Sequence, residues 1–165
     1  MRKVLVNSTP LITLSKLRHM FILHELYEEI IIPTAVKNEV TAKNDLASQD
    51  ILDNLSWIKV MDCAEFKRSA FSSKLHAGEI EMIMLAMELN ADLVIVDDKP
   101  ARKAANALGF NITGTLGVLV KAKSKGIIKA VSPFIESMRE INIYLSDSAI
   151  EMALKQAGEL PTEQS

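Results

Sequence analysis

The chain has 165 residues, 48% of them hydrophobic and 24% charged, with a formal net charge of −2. Length and composition are those of one globular domain with a sizeable core, and the near-neutral balance excludes a whole-molecule field for nucleic acid, so any such binding needs a local basic patch. The single cysteine, Cys63, excludes an intrachain disulfide framework and a cysteine-rich zinc site, which fits a cytoplasmic protein.

Arg2-Lys3 precedes too short an apolar run for a signal peptide, and no stretch approaches the roughly 20 apolar residues of a membrane helix. Val4-Leu5-Val6 reads as a short strand, and Thr9-Pro10 starts a helix with Leu11, Ile12, Leu14 and Leu17 on one face. A second short helix is expected from Met20 to Tyr27, then a strand at Ile30-Ile31-Ile32. Thr34 to Ala42 predicts a helix in which Glu39 lies beside the apolar face of Val36 and Val40. Asn44 to Asn54 continues helically, and Trp57 to Val60 is a weaker strand near a sheet edge. Glu65 to Leu75 is polar and helical, His76-Ala77-Gly78 punctuates, and Glu79 to Leu89 is a strongly apolar helix.

Leu93-Val94-Ile95-Val96 is the most buried-looking strand, and it ends in the doublet Asp97-Asp98. Helices are then expected over Pro100–Leu108, Val118–Lys125, Phe134–Glu140 and from Ser146-Asp147 to Gln156. A short strand falls at Phe110–Thr113, and residues 158–165 form a polar tail expected to fray. Strands alternating with helices imply a three-layer α/β/α sandwich with a central, mainly parallel sheet, here as a single domain over 1–157.

In open α/β sheets, ligands sit outside the carboxyl ends of the strands. One of Asp97 and Asp98 can cap the next helix, but one cap needs one acid, so the doublet leans towards function. If strands 4–6 and 93–96 are parallel neighbours, Asn7 meets Asp97 and Asp98 at one rim. The helix feeding the central strand returns Glu79 to that rim, and Glu39 is placed to join. Glu79 and Glu81 lie about 200° apart around a helix, so only one of them can face the rim. Three or four carboxylates raise one another's pKa unless a cation intervenes. A hard divalent ion held by oxygens, Mg²⁺ or Mn²⁺, satisfies them. Each acid also has a plainer explanation: Glu79 as a favourable charge in a first helical turn, Glu39 as a solvated helix residue.

Five segments in order, Val-Asn-Ser-Thr-Pro-Leu-Ile (6–12), Ile-Ile-Pro-Thr-Ala-Val-Lys-Asn-Glu-Val (31–40), Gly-Glu-Ile-Glu (78–81), Val-Asp-Asp-Lys-Pro-Ala-Arg (96–102) and Gly-Thr-Leu-Gly-Val-Leu (114–119), resemble the PIN-domain family. The likeness is closest to its prokaryotic PIN-like branch, related to VapC-type toxins. It implies a Mg²⁺- or Mn²⁺-dependent ribonuclease that hydrolyses RNA with metal-activated water, frequently a homodimer and often paired with a small antitoxin. Carried over by position, the family's four acids fall on Asn7, Glu39, Glu79 and Asp97. Asp98 is a neighbouring candidate and Glu81 the fallback for the third, and Ser8 matches the hydroxyl residue after the first acid. Thr115 either holds a ligand water or caps its helix.

The departure is Asn7, where most active PIN nucleases have Asp. An amide brings an oxygen but no charge, which weakens metal binding and leaves open a catalytically weak or silent RNA-binding or protein-interaction module. A nucleotide-binding Rossmann-like reading is disfavoured, because no Gly-x-Gly-x-x-Gly turn follows the first strand. Lys99, Arg102 and Lys103 beside the acids suit phosphate contact, Arg102 being placed equally to pair with an acid. Lys121, Lys123, Lys125 and Lys129 form a second basic cluster that suits phosphate contact in the same way, but a solvated helix face is the favoured reading.

Overall fold

The computed structural model of the protein describes residues 2–63 and 77–160. The chain gathers into two compact units, Met1–Gly114 and Thr115–Ser165. The helix expected over 65–75 lies outside the described residues.

The first unit holds a five-stranded sheet. Its elements in chain order are β1 (Val4–Val6), α1 (Ser8–Lys16), α2 (Phe21–Tyr27), β2 (Ile30–Pro33), α3 (Thr34–Thr41), α4 (Leu46–Asp53), β3 (Ile58–Met61), α5 (Ala77–Leu89), β4 (Leu93–Ile95), α6 (Lys99–Ala107) and β5 (Ile112–Thr113). The strand order is β3-β2-β1-β4-β5, and every pairing is parallel. The architecture is a three-layer α/β/α sandwich, fully parallel among the described strands.

The sequence explains this arrangement. Parallel strands need helical crossovers, which cover the sheet, so central strands must be apolar on both faces. Val4–Val6, Ile30–Pro33 and Leu93–Ile95 are buried at every position. At the edge, β3 alternates and leaves Lys59 and Met61 towards solvent, as its weaker pattern foretells. Leu5, Ile31, Val94 and Val96 join Met82, Leu85 and Ala86 of α5 and the buried Cys63 in one core cluster.

Helix boundaries differ from the sequence reading where polar groups compete for helix ends. Asp45 caps α4 by accepting from the Ser48 amide at 3.1 Å, so the helix begins at Leu46 rather than Asn44. The first helix starts at Ser8, which puts Pro10 in the opening turn, where a missing N–H leaves no bond unmade. Gly78 is absorbed into the first turn of α5 instead of breaking the chain.

The second unit contains α7 (Thr115–Ser124), α8 (Ser132–Glu140) and α9 (Asp147–Gln156). Ser146 caps α9 through the Ala149 amide at 3.2 Å, as its sequence position suggests. The beginning of the polar tail is fixed, contrary to the expected fraying. Glu159 accepts from the Val131 amide at 2.7 Å, the Ser132 amide at 3.0 Å and Lys123 Nζ at 3.1 Å. Lys123 also donates to the Ala157 carbonyl at 2.6 Å. It is therefore a structural clamp and not part of a solvated basic face.

Burial works against ionising Glu159, but the hydrogen bonds from Val131, Ser132 and Lys123 outweigh it and bring the carboxyl down to about 2. A carboxyl lowered on folding stabilises the protein above its unfolded value, near 4.5, and loses that contribution as the pH falls towards about 2. Glu159→Gln is expected to lower the melting temperature at neutral pH by several degrees and to flatten its decline over that acid interval. Parallel melting curves for variant and wild type from pH 5 down to about 2 would contradict the clamp.

Candidate active site

The order β3-β2-β1-β4-β5 reverses its winding at β1. The chain steps outward to β2 and β3, then returns to β4 on the other side of β1 and continues to β5. The crevice between β1 and β4, at their carboxyl ends, is the topological switch point at which parallel α/β proteins bind ligands. Asn7 and Asp97 follow these two strands directly or within two residues. The Asn7 amide donates to the Ile95 carbonyl at 2.9 Å, and the Val96 amide donates to the Thr113 carbonyl at 2.8 Å. Both segments thus stay in the ladder one residue beyond their strands.

At this rim the polar side chains divide into those tied to helix ends and those that are not. Asp98 caps α6, accepting from the Ala101 amide at 2.9 Å. Asn7 sits at the N-cap position of α1 yet makes no side-chain cap bond, and it is only 3% exposed. Asparagine is a favoured cap, but here the side chain makes no such bond. Ser8, beside it, is also buried.

Asp97 is half-buried and shares its surroundings with Arg102. The Arg102 guanidinium donates to the Val96 carbonyl at 3.1 Å. A Cβ placed on Gly114 would lie 2.6 Å from Asp97 Oδ1 and 2.7 Å from Arg102 Nη1. The side chain that glycine lacks is therefore what lets carboxylate and guanidinium approach the end of β5 together. Of the two roles the sequence left open for Arg102, this places it beside an acid, bound to the backbone of the strand that carries that acid.

The helix α5 runs back into β4, and its first turns do reach the carboxyl rim. Glu81 Oε2 accepts from the Ala35 amide in the first turn of α3 at 3.2 Å, and Glu81 is only 4% exposed. Glu79, two residues earlier, is half-buried. Glu39 lies one turn beyond Ala35 on α3 and is exposed. Lys99 and Lys103 are exposed on α6, and Arg102 is half-buried. Thr115 is buried at the start of α7, in the second unit.

One further acid escaped the sequence reading. Asp62 follows β3, and its carboxylate accepts from the Thr34 hydroxyl at the start of α3. The signal was available, since Asp62 follows a strand just as Asp97 does. A cleft of about 350 Å³, with Trp57, His24, Phe21 and Arg18 in its lining, lies where β3 begins and α1 ends, at the opposite rim from these residues.

Among the described residues, no group of three or more His, Cys, Asp or Glu side chains is gathered so as to hold a metal ion. A cage of four acids is therefore not assembled there. The donors at the switch point nevertheless suit a hard dication, with a carboxylate on Asp97 and a neutral amide oxygen on Asn7. Mg²⁺ is commonly held by one or two carboxylates, with waters and substrate phosphates completing its shell.

Fold and rim together define an open, parallel α/β protein whose polar centre lies at a β1/β4 switch point. The chain belongs to the PIN-domain family, whose profile matches residues 3–159. That family has a nuclease-like fold and generally depends on divalent metal. No curated protein matches the chain, and no helix among the described residues is long and apolar enough to cross a membrane.

Two variants test the geometry. Asp98→Ala is expected to cost about 1 kcal/mol of stability through the lost cap, while Asp98→Asn, which can still accept the bond, retains most of it. Equal melting temperatures for these two variants would deny the capping role. Gly114→Ala is expected to fold, because both groups it meets are side-chain tips able to swing aside. Its crystal structure should show Asp97 and Arg102 displaced, and unmoved side chains would contradict the cradle.

Proposed function

We propose that the protein is a metal-dependent endoribonuclease that hydrolyses RNA phosphodiester bonds at the β1/β4 rim. The observation that carries this reading is the placement of Asn7 and Asp97 at the ends of adjacent parallel strands in a chain of the PIN-domain family. Asp97 and Asn7 would hold Mg²⁺ or Mn²⁺ by their oxygens, with Glu79 and Glu39 as further ligands. A dication so held activates water and offsets charge on the leaving oxygen.

The chain's own residues position the substrate. Arg102, Lys99 and Lys103, on or flanking the first turn of α6, face a phosphate chain with positive charge, a contact that is sequence-independent and salt-sensitive. Ser8 adds a hydroxyl, and Asp98 orients the start of α6 while lying next to Asp97. The likeness to VapC-type toxins supports a homodimeric, cytoplasmic toxin held in check by a small antitoxin.

A second reading is favoured by one specific observation. Asn7 stands in the first acid's place, and no three-acid group forms among the described residues. A PIN fold that binds RNA or a protein without cutting is consistent with that.

Incubating purified protein with RNA and Mn²⁺ separates the two. The nuclease reading expects cleavage and its loss by more than about a hundred-fold in Asp97→Asn, which keeps the side chain's shape but removes a charged oxygen. Cleavage at the same rate by that variant would assign the activity to a contaminant and defeat the proposal. RNA retained without turnover, with no effect of Mn²⁺ on the melting temperature, would establish the silent module.

A further inference from the structure

The cleft of about 350 Å³ at the opposite rim takes no part in the proposed reaction, and it lies wholly within the first unit. One wall is aromatic. The His24 ring of α2 stacks on Trp57, just before β3, with centroids 4.9 Å apart and an angle of 24° between the planes. The indole is fixed by its N–H, which donates to Asn54 Oδ1 at 3.0 Å, and Asn54 Nδ2 donates in turn to the Asp50 carbonyl at 2.7 Å. Phe21 and Leu46, 47% and 43% exposed, add apolar surface that remains open to a ligand.

Two opposite charges line the same space without pairing to each other. Arg18 makes no side-chain hydrogen bond or ion pair with any described residue. Its backbone sits at φ 60° just after α1, a helix-end position where glycine is favoured. The guanidinium is thus kept at the cleft despite backbone strain, a pattern that accompanies function. Asp50 Oδ2 accepts from the Ser15 hydroxyl at 2.5 Å, and its other oxygen has no partner among the described residues. A purely apolar occupant would take water from both charges and return nothing. A flat heterocycle with N–H donors and an attached anion satisfies every part: the aromatic faces take the ring, the carboxylate accepts N–H, and the guanidinium meets the anion. Nucleotides have this make-up, and unstacked bases are held by such side chains.

We propose that the cleft is a nucleotide-binding site, with an unstacked base against the aromatic wall, base N–H groups donating to Asp50 and the phosphate beside Arg18. Guanine, with two adjacent N–H donors, suits a carboxylate; uracil, whose single N–H is flanked by carbonyl oxygens, does not. The inference goes beyond the nuclease reading and does not depend on it, because none of these residues belongs to the β1/β4 rim. The nucleotide comes either free in solution or as one base of an RNA strand, and the same chemistry recognises both.

Trp57 is the chain's one tryptophan, so its fluorescence reports on the cleft directly. The experiment titrates the full chain, without added metal, with GMP, UMP, guanosine and a guanine-containing single-stranded 2′-O-methyl RNA oligonucleotide, and checks each affinity by calorimetry. GMP is expected to quench saturably and to bind at least about ten-fold more tightly than UMP. Arg18→Gly, which relieves the backbone, should weaken GMP about ten-fold and leave guanosine unchanged. Asp50→Asn, which keeps an oxygen for Ser15, should lose most of the preference for GMP over UMP. Phe21→Ala, at an exposed position, should weaken both.

A saturable response to GMP identifies a free nucleotide as ligand, and a response confined to the oligonucleotide identifies a base within a strand. Both uphold the site, provided the three variants show their losses. No response to any of these ligands overturns the inference, as does binding undiminished in all three variants. Binding of p-cresol as tight as that of GMP also overturns it, by marking an apolar pocket suited to a protein side chain. Loss of GMP binding in Asp97→Asn would move the nucleotide to the β1/β4 rim, overturning this site while leaving the nuclease reading intact.

Discussion

The structure depends on one constraint, the parallel pairing of β1 with β4 in the register Val4 to Leu93, Leu5 to Val94 and Val6 to Ile95. A parallel pair cannot be closed by a hairpin, so these strands are joined across nearly ninety residues of intervening chain. Because both run the same way, Asn7 and Asp97 emerge at one end. A shift by one residue would turn every side chain of β1 to the opposite face, and the full burial of both strands forbids that. The polar rim is thus held in place by an apolar core that does no chemistry.

At that rim, carboxylates face two competing demands. Every helix opens with unpaired amides that attract acids, and the same acids are the ones able to bind a cation. The protein divides the labour. Asp98 and Glu81 satisfy amides of α6 and α3, while Asn7 is not used in capping and Asp97 is set beside Arg102 and Gly114. The doublet at 97–98 is intelligible in these terms, with the second acid anchoring the helix and the first left at its mouth.

Much of this could be read from the sequence. Branched apolar runs of three or four residues bounded by polar turns located β1, β2 and β4, because a strand buried on both faces has few other compositions open to it. The β3 edge followed from its mixed Trp57–Val60 pattern. The convergence of Asn7 and Asp97 needed only parallel pairing and the rule that ligands gather at carboxyl ends. Side-chain partnerships were the part not legible. That Glu81 reaches the Ala35 amide, that Arg102 grips the Val96 carbonyl and that Gly114 is the floor between two charges all depend on contacts between residues far apart in the chain or on opposite sides of a turn. A periodicity cannot report them. The start of the tail was misjudged for the same reason, since its polar composition concealed in Glu159 a carboxylate with three partners.

The Glu159 clamp limits how far the polypeptide can be shortened. Lys123 at the end of α7 and the two amides opening α8 find their counter-charge in a residue some thirty positions later. A version ending at Gln156, where the last helix closes, would look intact by its helical content. It would nonetheless strand a lysine and two donors around an empty space, so a shortened chain that keeps this corner intact has to retain Glu159.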